Sequence, residues 1–289
     1  MSRTTPPSNL AHSVHDRLLE LAKQRGRPFN ELLQYYAMER FLYRLANSPA
    51  KKQFVLKGAL LLTACAEASY RPTRDIDLLG QGDNTEATIR DVMQQVCRQA
   101  VSADGLLFDS ASVTTERIKE DADYAGVRAQ FIGQLGNARI SMQVDVGFGD
   151  IITPAPHTIE YPVLLDFPAP RLRAYTLETA VAEKLHAMIY LGELNSRMKD
   201  FYDVWMLCQR AALDPQRLKA AIGATFERRK TPISRDPICF AAEFAAAKQP
   251  QWRAFLRKLR IANTPDNLEA VTRAIRQTIE PIFDELRQR

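Results

Sequence analysis

The stretch YRPTRDIDLL, residues 70–79, places two carboxylates two positions apart between a basic, proline-containing segment and an apolar run. Residues 75–79 have the composition of a β-strand. In an extended segment Asp75 and Asp77 point to one side, whereas Ile76 and Leu78 face the core. Two neighbouring carboxylates repel each other unless a proton or a cation lies between them. The pair therefore predicts a site for a divalent ion.

Oxygen ligands without histidine or cysteine favour Mg²⁺ or Mn²⁺. Asp145, on the polar side of the alternating segment SMQVDVG, is a candidate third ligand or base if its strand neighbours that of Asp75 and Asp77. Three carboxylates on adjacent strands suit metal-assisted phosphoryl chemistry. The alternative is a chance D-x-D motif whose charge Arg71 and Arg74 neutralise.

The segment VLKGALLL, residues 55–62, indicates a strand, a glycine turn and a helix. The free N–H groups at such a helix start can bind phosphate oxygens. Gly58 lets the backbone approach a ligand closely, and Lys57 adds a positive charge. The alternative is an ordinary strand–helix connection without a ligand.

Composition restricts the class of protein. The formal net charge is +5, and basic residues are concentrated between 215 and 260, which indicates either a solvated helical face or a surface that follows phosphates. The four cysteines form no CxxC pair, which favours reduced thiols in the cytoplasm. The sequence predicts no secretory signal and no membrane partner, because it contains neither an early apolar region nor a bilayer-length apolar run.

Hydrophobic periodicity predicts a mixed N-terminal part and a helical C-terminal part, with a proline-rich connector between them at 153–170. The seam is expected near 155–172. The expected helices are 10–24, 28–46, 59–68, 85–101, 177–191 and 197–210, and the expected strands are 53–56, 75–79, 126–135, 138–149 and a short one at 163–165. Gly136-Asn137 predicts the turn of a hairpin. Thr176, Asp214-Pro215 and Thr264-Pro265 are expected helix starts, and Gly192 is an expected helix end.

Two charged groups on the C-terminal helices are candidate functional residues. Lys184 lies roughly 60° from the apolar stripe of its helix, so its ammonium can reach a cleft or extend along the surface. Asp200 and Asp203 are three residues apart and share a helix face. The alternative for this pair is a surface helix with ion pairs to Arg197 and Lys199.

The order of five segments, KGALLL, RPTRDIDLL, QVDVGFG, AEKLHAM and RMKDFYDVW, resembles the AbiEii-type nucleotidyltransferase toxins. These belong to the polymerase-beta-like nucleotidyltransferase superfamily and act in AbiE-like toxin–antitoxin pairs. The resemblance extends from about residue 54 to 208. It implies a bilobed α+β fold, with a nucleotidyltransferase-like lobe of mixed sheet and helices at 1–165 and an all-helical lobe at 166–289.

The resemblance also implies a nucleotide-binding segment. Lys57 and Gly58 match the family's lysine and first glycine, whereas Ala59 replaces its second glycine. Arg71 and Thr73 match the start of the family's Arg-x-Ser/Thr-x-Asp-x-Asp segment, in which the hydroxyl residue contacts phosphate.

The matching acidic and basic positions imply the catalytic residues. Asp75 and Asp77 match the pair that holds Mg²⁺, and Asp145 lies where superfamily members often have a third carboxylate. On the helical side, Lys184 matches the lysine of the A-E-K helix. Asp200 and Asp203 match the acidic pair of the family's R-x-K-D-x-x-D helix.

The function implied by the resemblance is transfer of a nucleotidyl group from an NTP to an acceptor hydroxyl, with loss of pyrophosphate. The expected acceptor is the 3′ end of tRNA, whose modification blocks translation, and the expected protein partner is a cognate antitoxin. Two alternatives remain open: a metal-dependent nuclease that uses the same carboxylates, and a non-catalytic relic of the fold that binds RNA or protein.

Overall fold

The computed structural model describes residues 8–65, 71–121, 124–259 and 264–288, which form two compact units. The first unit contains Met1–Ala64, Pro72–Gly149 and His157–Ala174, and the second contains Cys65–Arg71, Asp150–Pro156 and Tyr175–Arg289. All described strands belong to the first unit, and the described part of the second unit is helical. The fold class is therefore α+β, as predicted.

The described residues of the first unit form one mixed sheet and four α-helices. In chain order they are α1 Ser8–Arg25, α2 Phe29–Asn47, β1 Phe54–Lys57, α3 Gly58–Cys65, β2 Asp75–Gly80, α4 Glu86–Arg98, β3 Leu106–Asp121, β4 Tyr124–Leu135, β5 Ala138–Phe148, β6 His157–Glu160 and β7 Arg171–Ala174.

The seven described strands are arranged in the order β3-β4-β5-β2-β1-β7-β6, so the strand that carries Asp75 and Asp77 lies in the centre. Strand β2 pairs in parallel with β5 and antiparallel with β1. The hairpin β4–β5 turns at Gly136-Asn137, as predicted. Asp145 was a candidate third ligand only if its strand neighbours that of Asp75 and Asp77, and β5 is indeed the neighbour of β2.

One face of the central strands forms the core of the first unit. Ile76, Leu78 and Val144 are fully buried, and their alternation with polar residues follows from the two-residue period of a strand. On this face Phe41 of α2 packs against Phe131 of β4 with ring centroids 4.9 Å apart. Helix α2 is therefore part of the core, and the opposite face of β2 and β5 carries the polar side chains.

The second unit contains five α-helices in its described residues: α5 Leu177–Leu191, α6 Met198–Arg210, α7 Pro215–Arg228, α8 Ala242–Leu259 and α9 Leu268–Arg287. The hydroxyl of Thr176 accepts a hydrogen bond from the N–H of Thr179, and Asp214 caps α7 in the same way, so both predicted caps are confirmed. No helix in the described ranges is long and apolar enough to span a membrane.

The short strand expected at 163–165 is wrong. Residues 164 and 165 form bends between β6 and β7. Glu39 of α2 accepts the N–H of Leu164 at 2.7 Å, and the carbonyl of Leu165 accepts the N–H of Phe167 at 2.8 Å. These backbone groups therefore bond to a buried side chain and within a local turn instead of to a neighbouring strand.

The helix start expected at Thr264-Pro265 is also wrong. Helix α9 begins at Leu268, and Asn267 caps it by accepting the N–H of Glu269 at 2.7 Å. The carbonyl of Pro265 accepts the indole N–H of the fully buried Trp252 at 2.9 Å, which holds this segment outside the helix. Residues 66–68 of the helix expected at 59–68 lie outside the described residues.

Candidate active site: a carboxylate face and a buried lysine cluster

Strand β2 presents Asp75 and Asp77 on one side, as the sequence predicts. Both are partly exposed, whereas Ile76 and Leu78 between and beside them are fully buried on the other side. The residues flanking this pair in the sheet are also polar. The central strand therefore offers two carboxylates to a ligand without exposing its core residues.

Strand pairing brings further charges into line with Asp77. Across β1 its register partner is Lys57, and across β5 it is Asp145. Asp145 is in turn opposite Arg128 of β4. Register partners project from the same face of a sheet, so these residues form one row of charges with Asp75 beside it. We call Lys57, Asp75, Asp77, Asp145 and Arg128 the carboxylate face.

Gly58 is the first residue of α3 and lies directly against Asp77. Its φ of +69° is in the left-handed region, and a Cβ built on it would lie 1.9 Å from Oδ2 of Asp77. A side chain at this position would thus be strained and would displace the carboxylate. The glycine is required here because Asp77 occupies the space beside the start of the helix.

Asp145 is held by Arg128 through two bonds. Nε donates to Oδ1 at 2.9 Å and Nη2 donates to Oδ2 at 2.8 Å, and Gln143 also donates to Oδ2 at 3.2 Å. The hydrogen bonds to Asp145 raise the pKa of the Arg128 guanidinium, partial burial opposes this, and the charges of Asp145 and Asp75 raise it further. Asp145 is therefore engaged by a permanent cation.

The segment before β2 is held by two side chains of α2. The hydroxyl of Tyr35 accepts the N–H of Thr73 at 3.2 Å. The amide of Gln34 donates to the carbonyl of Ser141 at 3.2 Å and makes a longer contact of 3.5 Å with the carbonyl of Arg74. These contacts hold Thr73, the residue predicted to contact phosphate, in place beside the carboxylate face.

The second group of predicted residues lies within the helical unit. The ammonium of Lys184 contacts Asp200 at 3.0 Å and Asp203 at 2.9 Å. Arg71 binds Asp203 with Nε at 2.9 Å and Nη2 at 3.0 Å, and Arg197 lies 2.6 Å from Asp200. We call these five residues the Lys184 cluster.

Burial decides between the interpretations left open for these helices. The side chains of Asp200 and Asp203 are 0% exposed and that of Lys184 is 13% exposed. A lysine extending along the surface and an exposed position of the aspartates are therefore both wrong, although the expected ion pair between Arg197 and Asp200 forms. Burial alone would lower the pKa of Lys184, but the two carboxylates raise it above its ordinary value. Burial would raise the pKa of Asp200, but Lys184 and Arg197 hold it below the ordinary value.

His186 and Trp205 are both buried. The His186 ring contacts the hydroxyl of Thr231 through Nε2 at 2.8 Å and the Arg229 guanidinium through Nδ1 at 3.1 Å. Burial, followed by the charge of Arg229, lowers the pKa of His186 to about 4. The ring is thus a neutral hydrogen-bonding group in the helical unit.

The predicted residues form two groups, one in each unit, because Arg71 lies with the Lys184 cluster and Thr73 with the carboxylate face. Sequence reasoning missed Arg128, Tyr35 and Gln34. Arg128 had a signal: counting eight residues back from Gly136 along β4 and eight forward from Asn137 along β5 brings it opposite Asp145. In the described ranges no group of three histidine, cysteine, aspartate or glutamate residues forms a ready metal site.

Comparison with solved structures concerns the fold. The fold resembles two crystal structures from Helicobacter pylori, that of JHP933 and that of a candidate nucleotidyltransferase. Each has a TM-score of 0.51 and 15% sequence identity, and each alignment covers 89% of this chain and 94% or 96% of the other chain. At this identity the likeness concerns the fold alone.

The family follows from the sequence model described as "Nucleotidyl transferase AbiEii toxin, Type IV TA system", which matches residues 40–286. This chain belongs to that family, and it is accordingly a nucleotidyltransferase toxin of a toxin–antitoxin system. No curated protein sequence matches the chain significantly.

Proposed function

We propose that this chain transfers a nucleoside monophosphate from a Mg²⁺-bound NTP to the 3′ hydroxyl of tRNA in the cytoplasm, and that this modification blocks translation. The acceptor oxygen bonds to the α-phosphorus, the bond to pyrophosphate breaks, and the hydroxyl proton passes to water. The observation that carries the proposal is the pair of partly exposed carboxylates on the central strand, beside the glycine start of α3.

Asp75 and Asp77 fit a divalent ion because they supply only carboxylate oxygens from one face of a rigid strand. When bound, Mg²⁺ or Mn²⁺ would neutralise phosphate charge and lower the pKa of the attacking hydroxyl. Asp145 lies on the same face, but both of its oxygens are bonded to Arg128. We therefore assign the ion to Asp75 and Asp77.

The residues around the pair suit a triphosphate. Lys57 contributes a positive charge in the strand next to Asp77, and Gly58 leaves the backbone at the start of α3 without a side chain. Thr73 supplies a hydroxyl within the segment that Tyr35 holds. We propose that these residues orient the phosphates while the carboxylates hold the ion.

The Lys184 cluster is proposed to support the same reaction. Asp200 and Asp203 both contact the ammonium of Lys184 and fix its direction. The proposed ligand of Lys184 is a phosphate of the nucleotide or of the acceptor.

Exposed basic residues of the helical unit support an RNA acceptor. The basic side chains exposed between 215 and 258 are those of Arg217, Arg228, Lys230, Arg235, Arg253, Arg257 and Lys258. Exposed arginine and lysine side chains bind RNA phosphates without reading sequence. The protein partner proposed from the family is a cognate antitoxin.

The test is incubation of the full chain with each α-labelled NTP in turn, Mg²⁺ and total tRNA. We expect label from at least one NTP at tRNA 3′ ends with wild type, loss of labelling with Asp75→Asn or Asp77→Asn, and loss with EDTA. RNA that is shortened without any NTP would instead show a nuclease. Absence of labelling, together with growth inhibition that both variants retain, would show a non-catalytic binding protein.

A further inference from the structure

The carboxylate face contains a cation to which the proposed reaction assigns no role, the guanidinium of Arg128. Its two bonds to Asp145, at 2.9 Å and 2.8 Å, form the forked arrangement in which arginine binds a carboxylate most strongly. The Asp145 side chain is 13% exposed and that of Arg128 is 31% exposed, so water screens the pair only in part. The pair is a fixed component of this face.

Strand register places the pair beside the proposed metal ligands. Asp145 is opposite Asp77, and neighbouring strands lie about 4.8 Å apart. At this spacing two carboxylates can share a pair of divalent ions, which lie about 3.5–4 Å apart in two-metal sites. The charge of Asp75 also acts on Arg128. The guanidinium thus lies where a second ion would be expected to neutralise the third carboxylate.

We propose that Arg128 takes the place of a second metal ion: it neutralises Asp145, and Asp75 and Asp77 bind one divalent ion. This inference rests on the proposed function, since it specifies how the same face binds its metal. Arg128 is then a positioning residue, which keeps Asp145 from joining the coordination of the ion.

Removal of Arg128 should have an effect that the loss of a purely structural residue would not have. Without the guanidinium, Asp145 is a charged carboxylate next to Asp77, and like charges at this distance repel. A second divalent ion relieves that repulsion, so removal of Arg128 should create a metal site. A loss of structure alone would remove metal sites and create none.

The test counts Mn²⁺ bound to the full chain by electron paramagnetic resonance of the free ion. We expect one ion per wild-type chain, two per Arg128→Gln chain, and one per chain of the double variant Arg128→Gln/Asp145→Asn. The matched control is Arg117→Gln, because Arg117 pairs with Val127 on β4 and so projects from the opposite face of the sheet. It should bind one ion.

The single variant Asp145→Asn gives an independent result if Arg128→Gln does not fold. Under the proposal it binds Mn²⁺ as tightly as wild type, whereas loss of a true ligand or ligand support would weaken binding by about 10–100-fold. Weakening of that size, or two ions on wild type, or a single ion on folded Arg128→Gln, would overturn the inference.

The design separates this failure from failure of the proposed function. If wild type binds one ion, Asp75→Asn binds none and Arg128→Gln still binds only one, then the proposed role of Arg128 is wrong. The assignment of the ion to Asp75 and Asp77 is then unaffected. A wild-type chain that binds no ion, or an ion that Asp75→Asn leaves in place, contradicts the metal assignment and the inference together.

Discussion

The carboxylate face and the Lys184 cluster use the same kinds of side chain with opposite balance. On the sheet, three carboxylates accompany two cations, and Asp75 and Asp77 are partly exposed. In the helical unit, three cations surround two carboxylates that are completely buried. The proposed ligand of the first arrangement is a metal ion, and that of the second is an anion.

The difference also separates function from stability. A partly exposed carboxylate keeps much of its hydration, so its removal costs the fold little. A buried carboxylate depends on its cation, because an uncompensated charge in the interior is strongly destabilising. Substitutions in the two groups should therefore fail in different ways.

The largest effect is expected on the sheet. Asp75→Asn or Asp77→Asn should lower nucleotidyl transfer by on the order of 10³-fold, the factor that corresponds to a loss of about 4 kcal/mol of transition-state stabilisation. The melting temperature should change little. The control is Asp91→Asn, which removes an exposed carboxylate from α4. Equal activity of Asp77→Asn and the control would remove the catalytic role of this face.

The next effect is on the stability of the helical unit. Lys184→Met should lower its unfolding free energy by about 3–5 kcal/mol, because Asp200 and Asp203 lose a shared cation. Urea unfolding followed by tryptophan fluorescence measures this, since both tryptophans, Trp205 and Trp252, belong to that unit.

The control for Lys184 is the exposed pair of α9. Arg273 lies 2.6 Å from Glu269, with side chains 66% and 45% exposed, so Arg273→Met should cost at most about 1 kcal/mol. If both variants lose the same small amount, the Lys184 cluster does not hold the helical unit together, and the contrast with the carboxylate face fails.

A pH effect should follow from His186. Its folded pKa, about 4, lies below the ordinary 6.5, so the neutral ring stabilises the fold fully above pH 6.5 and this contribution is lost as pH falls toward 4. Between pH 7.5 and 5 the helical unit should lose about 2 kcal/mol through this residue. His186→Gln should remove that part of the pH dependence in fluorescence-monitored urea unfolding, whereas His157→Gln, on an exposed strand position, should leave it.

The smallest difference in stability is expected between alanine variants of two glycines with similar φ. Gly58 at +69° would clash with Asp77 if it had a Cβ, whereas Gly26 at +59° has no atom within 4 Å of that position. Both alanine variants bear the backbone strain of about 1–2 kcal/mol, and only Gly58→Ala also displaces the carboxylate. Melting curves should show the larger loss for Gly58→Ala, and only this variant should lose transfer activity. Equal losses of melting temperature in the two variants would mean that the Asp77 side chain moves aside without cost.

Local patterns were sufficient to predict much of this molecule. The strand at Asp75–Gly80, its carboxylates on one side, the caps at Thr176 and Asp214 and the β4–β5 turn all depend on neighbouring residues. The AbiEii family was also recognisable from the order of its motifs, and the family model covers residues 40–286.

Contacts between distant residues were beyond such patterns. Arg71 and Asp203 are 132 positions apart, and Tyr35 meets Thr73 across 38 positions, so no local period links either pair. The burial of Asp200 was hidden because an acidic residue is ordinarily exposed and only the cations around it permit its position. Arg128 differs, because hairpin register alone was sufficient to predict its partner, although this prediction was missed.

Anomalous diffraction from crystals of the full chain soaked with Mn²⁺ tests the central assignment most directly. We predict one peak, coordinated by the carboxylates of Asp75 and Asp77, with Arg128 still bonded to Asp145. A manganese peak elsewhere, with the side chains of Asp75 and Asp77 separated from every ion, would contradict it.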